Sequence, residues 1–168
     1  ERFTHDIEAQ TVQFSPRLVI AKRARQELVD DAVINFGFGI PDQVAKLIAR
    51  DGMSDRYYQT IEHGTYGGRL MDGDLFGYAR NPSCMIDGPS QFDFYSGGGL
   101  DIAFLGFGEI DAQGNVNVSK LAGNTVGPGG FIDIAQNAAK VVFCGTFDTG
   151  GSKLAVGDGT LSVISPGR

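Results

Sequence analysis

Glycine is the residue that most constrains the fold of this chain, because its clusters coincide with the ends of apolar runs. The 168 residues include 25 glycines, about twice the usual share, without a low-complexity tract. Glycine clusters follow the apolar runs Ala32–Phe36 and Tyr57–Ile61. A glycine cluster after a short apolar run is typical of a tight turn between a strand and a helix. The pattern therefore predicts many short strands joined by tight turns.

Helical spacing of apolar residues between the runs predicts an alternation of strands and helices. The predicted helices extend from Ser15–Pro16 to near Leu28 or Val29, from Pro41 to Gly52, and over Phe131–Ala139. The predicted strands are Ala32–Phe36, Tyr57–Ile61, Ile102–Leu105, Val116–Val118, Lys140–Cys144 and Leu161–Ile164. Such an order implies right-handed β-α-β crossovers and an α/β fold with an open, mostly parallel sheet flanked by helices. We expect a single domain over residues 1–168, with a ligand crevice beyond the strand ends.

Composition and charge exclude several classes of function. A net charge of −6 and a pI near 4.8 argue against a nucleic-acid surface, which needs clustered Lys and Arg. No apolar run approaches the roughly 20 residues of a membrane-spanning helix, so no membrane partner is expected. Cys84 and Cys144 are far apart and form no C-x-x-C pair, which suggests neither a metal site nor a disulfide. Reduced thiols predict a cytoplasmic location.

Glu62 is the residue that stands out as a candidate for catalysis. It ends an apolar strand and is followed by glycines, and an acid in that position has few structural roles. The alternative is a strand-end Glu that caps the following turn or pairs with Arg69. His63 is its neighbour, but alternation along a strand would turn the two side chains in opposite directions, so His63 need not act as a base.

Two glycine motifs fail as nucleotide signatures. A dinucleotide fingerprint after Gly37-x-Gly39 would require glycine at position 42, where Asp42 would repel a pyrophosphate. The run Gly97–Gly99 lacks the Lys-Ser/Thr tail of a phosphate-binding loop. The aromatic residues Phe92, Phe94 and Tyr95 alternate as in a strand, so we interpret them as core or interface residues, not as an adenine platform.

Several motifs, in order, resemble those of the family I coenzyme A transferases of the 3-oxoacid, acetate and propionate type. Ile61–Gly68 resembles the E-x-G-x-x-G-G stretch that holds that family's nucleophilic glutamate, and Val33–Pro41 resembles its N-x-G-x-G-I-P segment. Asp93–Gly106 is similar to its D-F-x-x-G-G-G-L-D-x-A-F-L-G block. The stretches 114–118 and 129–134 follow in the same order, so the resemblance extends from Arg17 to Gly151.

The resemblance implies a fold, a reaction and a set of site residues. Glu62 would be the nucleophile, in the glutamate-bearing, β-type half of the enzyme. The residues implied to contact CoA or leave room for it are Gly37, Phe38, Gly39, Ile40, Pro41, Gly64, Gly97, Gly98 and Gly99. Gly129 or Gly130, before the Phe131 helix, would supply an oxyanion donor. The family uses CoA as a substrate and needs no metal or organic cofactor, and it works with a complementary α-type half, often in an oligomer.

Two other interpretations stay open at this stage. The chain can be an inactive subunit or fragment that needs its partner half, or, less well supported, a sugar-phosphate isomerase or deaminase of similar architecture. The isomerase would use an acid as base and would need a phosphate cradle, for which no basic residue beside a glycine turn is evident. The segment Arg69–Leu75 departs from the family pattern and adds Asp72 and Asp74, which leaves the identity of the acyl substrate open.

Overall fold

The computed structural model describes residues 14–71, 73–146 and 150–166 of the chain. Its α-helices are α1 (Pro16–Arg25), α2 (Asp42–Arg50), α3 (Gly88–Phe94) and α4 (Phe131–Asn137). Its strands are β1 (Val33–Phe36), β2 (Tyr58–Ile61), β3 (Thr65–Tyr66), β4 (Arg69–Leu70), β5 (Ala79–Arg80), β6 (Cys84–Met85), β7 (Ile102–Leu105), β8 (Glu109–Ile110), β9 (Val116–Asn117), β10 (Lys120–Leu121), β11 (Asn124–Thr125), β12 (Lys140–Phe143), β13 (Lys153–Gly157) and β14 (Thr160–Ser165).

A six-stranded sheet in the order β12-β7-β1-β2-β3-β6 forms the centre of the fold. The strands β12, β7, β1 and β2 are parallel, whereas β3 and β6 continue the sheet in antiparallel pairing. The register places Asn35 opposite both Thr60 of β2 and Ala103 of β7. The predicted α/β fold with a mostly parallel sheet is confirmed. The antiparallel extension was not predicted, because two-residue strands leave no readable periodicity.

Side chains alternate between two apolar layers, one on each face of the sheet. One layer holds the inward residues of α1 and α2 against alternate strand residues such as Ile34, Phe36 and Phe104. The rings of Phe36 and Phe104 are stacked with centroids 5.6 Å apart. The other layer holds Tyr95 and Ile134 against Ala103 and Leu105. Helices therefore cover both faces, as a parallel sheet requires.

The first two helices follow their sequence signals closely. The Ser15 hydroxyl caps α1 by accepting the N–H of Leu18 at 3.2 Å. This helix ends at Arg25, three residues before the predicted end at Leu28, because the chain tightens into a turn at Gln26. Helix α2 carries its buried side chains at helical spacing and ends before Gly52, whose φ is 66°.

The segment with three aromatic residues is helical, so its interpretation as a strand was wrong. Asp87 caps α3 by accepting the N–H of Ser90, and Pro89 lies in the first turn. The chain continues into a single wide helical turn over Tyr95–Gly99. Alternation of aromatic residues over so short a stretch also fits a helix, and the capping signal Asp-Gly-Pro-Ser decides between the two.

The last described segment is a β-hairpin of β13 and β14. Its pairing places Leu154 opposite Val163 and Val156 opposite Leu161, so the four apolar side chains share one face. All four are more than half exposed. The predicted strand over Leu161–Ile164 is confirmed as part of β14. Among the described residues, no helix has the length and apolar character needed to cross a membrane.

Candidate active site at the strand ends

Two neighbouring parallel strands bring Glu62 and the loop Gly37–Pro41 to one edge of the sheet. Glu62 directly follows β2, and Gly37 directly follows β1. Because Asn35 lies opposite Thr60, the same register places Gly37 beside Glu62. The expectation that this loop and Glu62 face the same edge is therefore met by the register of the sheet.

The Glu62 carboxylate is half-buried and is held by a side chain of β1. The Asn35 amide, which is fully buried, donates from Nδ2 to Glu62 Oε2 at 3.3 Å. Glu62 lies two residues beyond Thr60 and so continues the same face of the sheet as Asn35 and Thr60. A hydrogen bond to a carboxylate is charge-assisted and fixes the orientation of the acid.

A chain of polar groups continues from Asn35 into the interior. Asn35 Nδ2 lies 3.1 Å from the Tyr95 hydroxyl, which lies 2.5 Å from Thr60 Oγ1. Thr60 Oγ1 in turn donates to the Ile34 carbonyl at 2.7 Å. Burial raises the pKa of Tyr95 to about 12, although hydrogen bonds with Thr60 and Asn35 oppose the shift, and the Glu62 charge adds a smaller increase. Tyr95 is therefore a neutral phenol at physiological pH.

Gln91 of α3 adds a second buried amide to this face of the sheet. It lies close enough to the Tyr66 and Tyr95 hydroxyls to lower their pKa values against the dominant effect of burial. Neither polar atom of its side chain makes a hydrogen bond of normal geometry with the described part of the chain. The interior below Glu62 is thus polar on this face of the sheet.

His63 lies in different surroundings from Glu62. Its ring is exposed and packs edge-on against Phe76 with centroids 5.9 Å apart, and Phe76 packs in the same way against Phe38 at 5.5 Å. The two neighbouring side chains therefore make separate contacts, as alternation along a strand predicts.

The glycines after Glu62 have a packing reason within the chain itself. Gly64 and Gly68 have φ of 97° and 72°, values that side chains rarely adopt. A Cβ on Gly64 would lie 2.0 Å from the Ile86 carbonyl oxygen, and one on Gly68 would lie 2.4 Å from that of Arg80. The space beside Gly64 is filled by the neighbouring segment, so clearance for a substrate is not needed to explain this glycine.

The loop after β1 combines tight packing with open space. A Cβ on Gly37 would lie 3.1 Å from a main-chain carbonyl of β7. Outside Gly39 and its two chain neighbours, no atom of residues 14–71, 73–146 or 150–166 lies within 4 Å of the corresponding position on Gly39, whose φ is 93°. Ile40 packs against the core and Pro41 is the N-cap residue of α2. The Phe38 ring is 64% exposed. Gly39 and Phe38 are thus the accessible members of the loop.

Gly129 and Gly130 lie at the same edge of the sheet as Glu62. Two residues separate the end of α4 from the start of β12, so the opposite end of the helix, where Gly130 is the N-cap, lies toward the strand ends. Gly129 has φ of 56° and open space beside it, and a Cβ on Gly130 would meet the Phe92 ring at 2.8 Å. The N-terminal N–H groups of α4 are directed toward this edge.

The structure places Gly97–Gly99 away from Glu62. These glycines precede β7, whose first residue Ile102 pairs with Ile34 near the start of β1. They therefore lie toward the opposite edge of the sheet. A Cβ on Gly99 would meet the Phe94 ring at 2.4 Å, whereas Gly97 and Gly98 have open space beside them.

The hydrogen-bond network below Glu62 contains two residues that were not predicted as part of the site, Thr60 and Tyr95. Asn35 was predicted only as part of a motif. One signal was available: an asparagine within the apolar run Val33–Phe36 must find a hydrogen-bond partner when the strand is buried. Of the two additional acids, Asp74 is exposed in a short 3₁₀ turn, and Asp72 lies outside the described residues. Within the described ranges, no three His, Cys, Asp or Glu side chains are grouped so as to hold a metal ion.

The chain is similar in sequence to bacterial proteins that act on CoA. It is 40% identical over 158 residues to the acetate CoA-transferase YdiF of Escherichia coli O157:H7, and this match covers 94% of the chain and 30% of the relative. It is 40% identical over 157 residues to the caffeate CoA-transferase of Acetobacterium woodii, covering 90% of the chain and 30% of the relative. It is 30% identical over 138 residues to the beta subunit of the acetate CoA-transferase of Haemophilus influenzae, covering 74% of the chain and 60% of the relative.

Solved structures of a CoA-transferase also resemble the chain in fold. The apoenzyme of YdiF from Escherichia coli O157:H7 superimposes with a TM-score of 0.77 at 39% identity, covering 99% of the chain and 30% of YdiF. A thioester complex of the same enzyme with CoA superimposes with a TM-score of 0.73 at 38% identity, covering 94% of the chain and 30% of YdiF. No protein-family model matches the chain. The chain thus spans about a third of the length of YdiF and of the caffeate enzyme.

Proposed function

Since this chain belongs to the family I coenzyme A transferases, we propose that it is the glutamate-bearing part of an enzyme that moves CoA from an acyl-CoA to a short-chain carboxylic or 3-oxo acid. Glu62 is the nucleophile in this proposal. The observation that carries it is the half-buried Glu62 carboxylate at a strand end, held by the Asn35 amide. Its neighbour along the sheet edge is the open loop at Phe38 and Gly39.

The proposed reaction has two matched halves. The Glu62 carboxylate attacks the carbonyl carbon of the acyl-CoA, the C–S bond breaks, and a mixed anhydride and the CoA thiolate are formed. The thiolate attacks the Glu62 carbonyl, which gives a glutamyl-CoA thioester and releases the first acid. The carboxylate of the second acid attacks this thioester and releases the thiolate again. The thiolate then attacks the new acyl carbonyl, forms the product acyl-CoA and frees Glu62.

Every step passes through a tetrahedral oxyanion, which requires fixed hydrogen-bond donors. One oxyanion donor contributes roughly 3 to 4 kcal/mol to the transition state in other enzymes. The N–H groups at Gly129 and Gly130 are the proposed donors. Their position at the Glu62 edge supports this, and so does the lack of a side-chain cap on α4 from any described residue. The reaction moves charge between oxygen and sulfur only, so no resident metal or organic cofactor is proposed, and CoA enters as substrate.

A complementary α-type half is the proposed partner. The relative from Haemophilus influenzae is a beta subunit, and the chain covers only 30% of YdiF, which supports a site completed by further sequence, fused or separate. The assembly would be a homo- or hetero-oligomer. The same coverage supports the alternative that these residues alone are inactive. The free thiols Cys84 and Cys144 are in keeping with a cytoplasmic enzyme.

The covalent intermediate gives a direct test. The full-length protein is incubated with acyl-CoA and then treated with borohydride, which reduces a thioester but not a free carboxylate. Mass analysis of the peptide containing position 62 is expected to show the reduced side chain in the wild type and not in Glu62→Ala. Glu109→Gln, which changes an exposed glutamate in β8, is the matched control and should react as the wild type does. CoA transfer without any adduct at position 62 would refute the mechanism.

The same reaction tests whether residues 1–168 are active alone or need the α-type half. Residues 1–168 are assayed alone and again after a separately produced α-type half is added. Recovery of the adduct only in the mixture would show that the partner completes the site.

A further inference from the structure

The hydrogen bonds below Glu62 form one continuous path to the backbone of β1. The path runs from the carboxylate through the side chains of Asn35, Tyr95 and Thr60 to the carbonyl of Ile34. The side chains of Asn35, Tyr95 and Thr60 are all fully buried, so water does not substitute for any of their partners. The direction of each bond can therefore be worked out from the number of protons available.

The interior end of the path is the backbone carbonyl of Ile34. The Ile34 carbonyl only accepts, so the single proton of the Thr60 hydroxyl is used in that bond. The contact of 2.5 Å between the two hydroxyls must then use the proton of Tyr95, with Thr60 Oγ1 as acceptor. The raised pKa of Tyr95 means that this proton is present at physiological pH.

The remaining bonds follow from this assignment. Because the Tyr95 proton is used in the bond to Thr60, the Tyr95 oxygen is available to Asn35 only as an acceptor. Asn35 must therefore present its Nδ2 group, which carries two protons, one for Tyr95 and one for Glu62. The other amide atom, Asn35 Oδ1, is left without a hydrogen-bond partner in the described part of the chain.

An amide rotated by 180° would satisfy neither neighbour. Its Oδ1 would then face the Glu62 carboxylate and the lone pairs of the Tyr95 oxygen, and two hydrogen bonds would be replaced by repulsion. The observed orientation keeps an orphaned carbonyl oxygen in the interior, which ordinarily costs stability. A buried polar group that is retained at a cost is a reason to look for a role in function.

We propose that Tyr95 and Thr60 are positioning residues for the nucleophile. Because the Thr60 hydroxyl donates to Ile34 and the Tyr95 hydroxyl donates to Thr60, Tyr95 can only accept from Asn35, and this holds the Asn35 amide with its N–H groups toward Glu62. The bond from Asn35 keeps the carboxylate pointed at the strand-end edge. Neither Tyr95 nor Thr60 touches a substrate in this proposal. It depends on the proposed function of Glu62, but the orientation of the Asn35 amide can be measured without any substrate.

Four variants of the full-length protein test the proton assignment. Tyr95→Phe removes one of the two acceptors that hold Asn35 Nδ2, and loss of one bond in a charge-assisted network predicts a fall of about 10- to 100-fold in the rate of adduct formation, with little change in KM for acyl-CoA. Thr60→Ser keeps the hydroxyl and should stay within about threefold of the wild type. Tyr57→Phe is the matched control, because Tyr57 is a buried tyrosine immediately before β2 in the other apolar layer.

Thr60→Val gives the sharpest result. It removes the acceptor for the Tyr95 hydroxyl. Tyr95 is then expected to donate to Asn35 Oδ1 instead, which favours the rotated amide. The fall should be at least as large as in Tyr95→Phe, and the double variant Tyr95→Phe/Thr60→Val should be no slower than Thr60→Val alone. A merely structural role predicts instead that the two losses multiply. Multiplying losses, or equal losses in Thr60→Ser and Thr60→Val, would overturn the proposal.

A spectroscopic measurement separates this proposal from the proposed function. In ¹⁵N-labelled protein without substrate, the two side-chain amide protons of Asn35 are expected to give separate, shifted resonances, one sensitive to Glu62→Gln and the other to Tyr95→Phe. If the wild type forms no adduct with acyl-CoA but these resonances respond as expected, the proposed function fails and the network stands. Unchanged resonances in both variants would refute the network even in an active enzyme.

Discussion

The side chain of Asn35 donates to the carboxylate of Glu62 across two neighbouring parallel strands, at 3.3 Å. Neither residue is near the other in sequence, and each lies on the same face of the sheet because β1 and β2 pair in one register. A slip of one residue would turn Asn35 to the opposite apolar face and leave Glu62 without its donor. The candidate site therefore depends directly on the register of the central sheet.

The position of the carboxylate, as well as its presence, should determine activity. Glu62→Asp keeps the charge but withdraws the carboxylate by one methylene, away from both the substrate and Asn35. A misplacement of about 1 Å can cost about 100-fold in rate, so we expect a fall of at least that size in kcat. Steady-state kinetics of the full-length enzyme measure it. Activity within a few-fold of the wild type would argue that Glu62 is not the attacking group.

The exposed ring of Phe38 should contribute to acyl-CoA binding. Phe38 is 64% exposed and follows Gly37, which the register places beside Glu62. Covering such a ring on binding is worth roughly 1 to 2 kcal/mol, so Phe38→Ala should raise KM for acyl-CoA by about tenfold. Tyr58→Ala is the control, since Tyr58 is 62% exposed at the opposite end of β2. An equal effect of both variants would contradict a binding role for the loop.

Two glycines with nearly the same φ separate backbone strain from steric overlap. Gly39 has φ of 93° with open space, whereas Gly64 has φ of 97° and the Ile86 carbonyl oxygen lies 2.0 Å from the position that a Cβ would take. Gly39→Ala should lower the free energy of unfolding by about 1 to 3 kcal/mol through strain alone. Gly64→Ala should lower it by at least about 2 kcal/mol more, because the main chain must also move. Urea unfolding measures both, and equal losses would show that the approach of Ile86 is not rigid.

Alkaline pH should destabilise the protein through a buried thiol. Burial raises the pKa of Cys144 from 9.0 to about 11. Between these values the unfolded chain has released the proton and the folded chain still binds it, so the free energy of unfolding falls as pH rises, by at most about 1.4 kcal/mol per pH unit. Tyr95 adds a similar fall between 10 and about 12.

The contribution of Cys144 can be isolated by substitution. Cys144→Ala should show a shallower loss of stability between pH 9 and 11 than the wild type in urea unfolding. Cys84→Ala, which changes the exposed cysteine, should keep the wild-type slope. Identical slopes in the wild type and Cys144→Ala would mean that the thiol is not shifted.

The sequence alone was enough for the four parallel strands and for three of the helices. The strands are short, nearly continuous apolar runs, the helices carry apolar residues at helical spacing, and a cap or a glycine marks their ends. The error at α3 arose because Phe92, Phe94 and Tyr95 fit two periods at once, and the strands β3 and β6 are too short to show any period. The position of Glu62 at a strand end could be predicted, because it follows β2 directly in the chain.

The residues of the hydrogen-bond network below Glu62 could not be predicted in the same way, because they come from three separate segments of the chain. Asn35, Thr60 and Tyr95 meet only because β1 and β2 pair in register and because the turn after α3 places a phenol over them. Local sequence determines whether a strand forms and where an acid ends it, through short-range sterics and burial. The register of the central sheet and the packing of α3 were decided by the whole apolar core. They also decide which group donates and which accepts in each hydrogen bond between Glu62 and the backbone of Ile34.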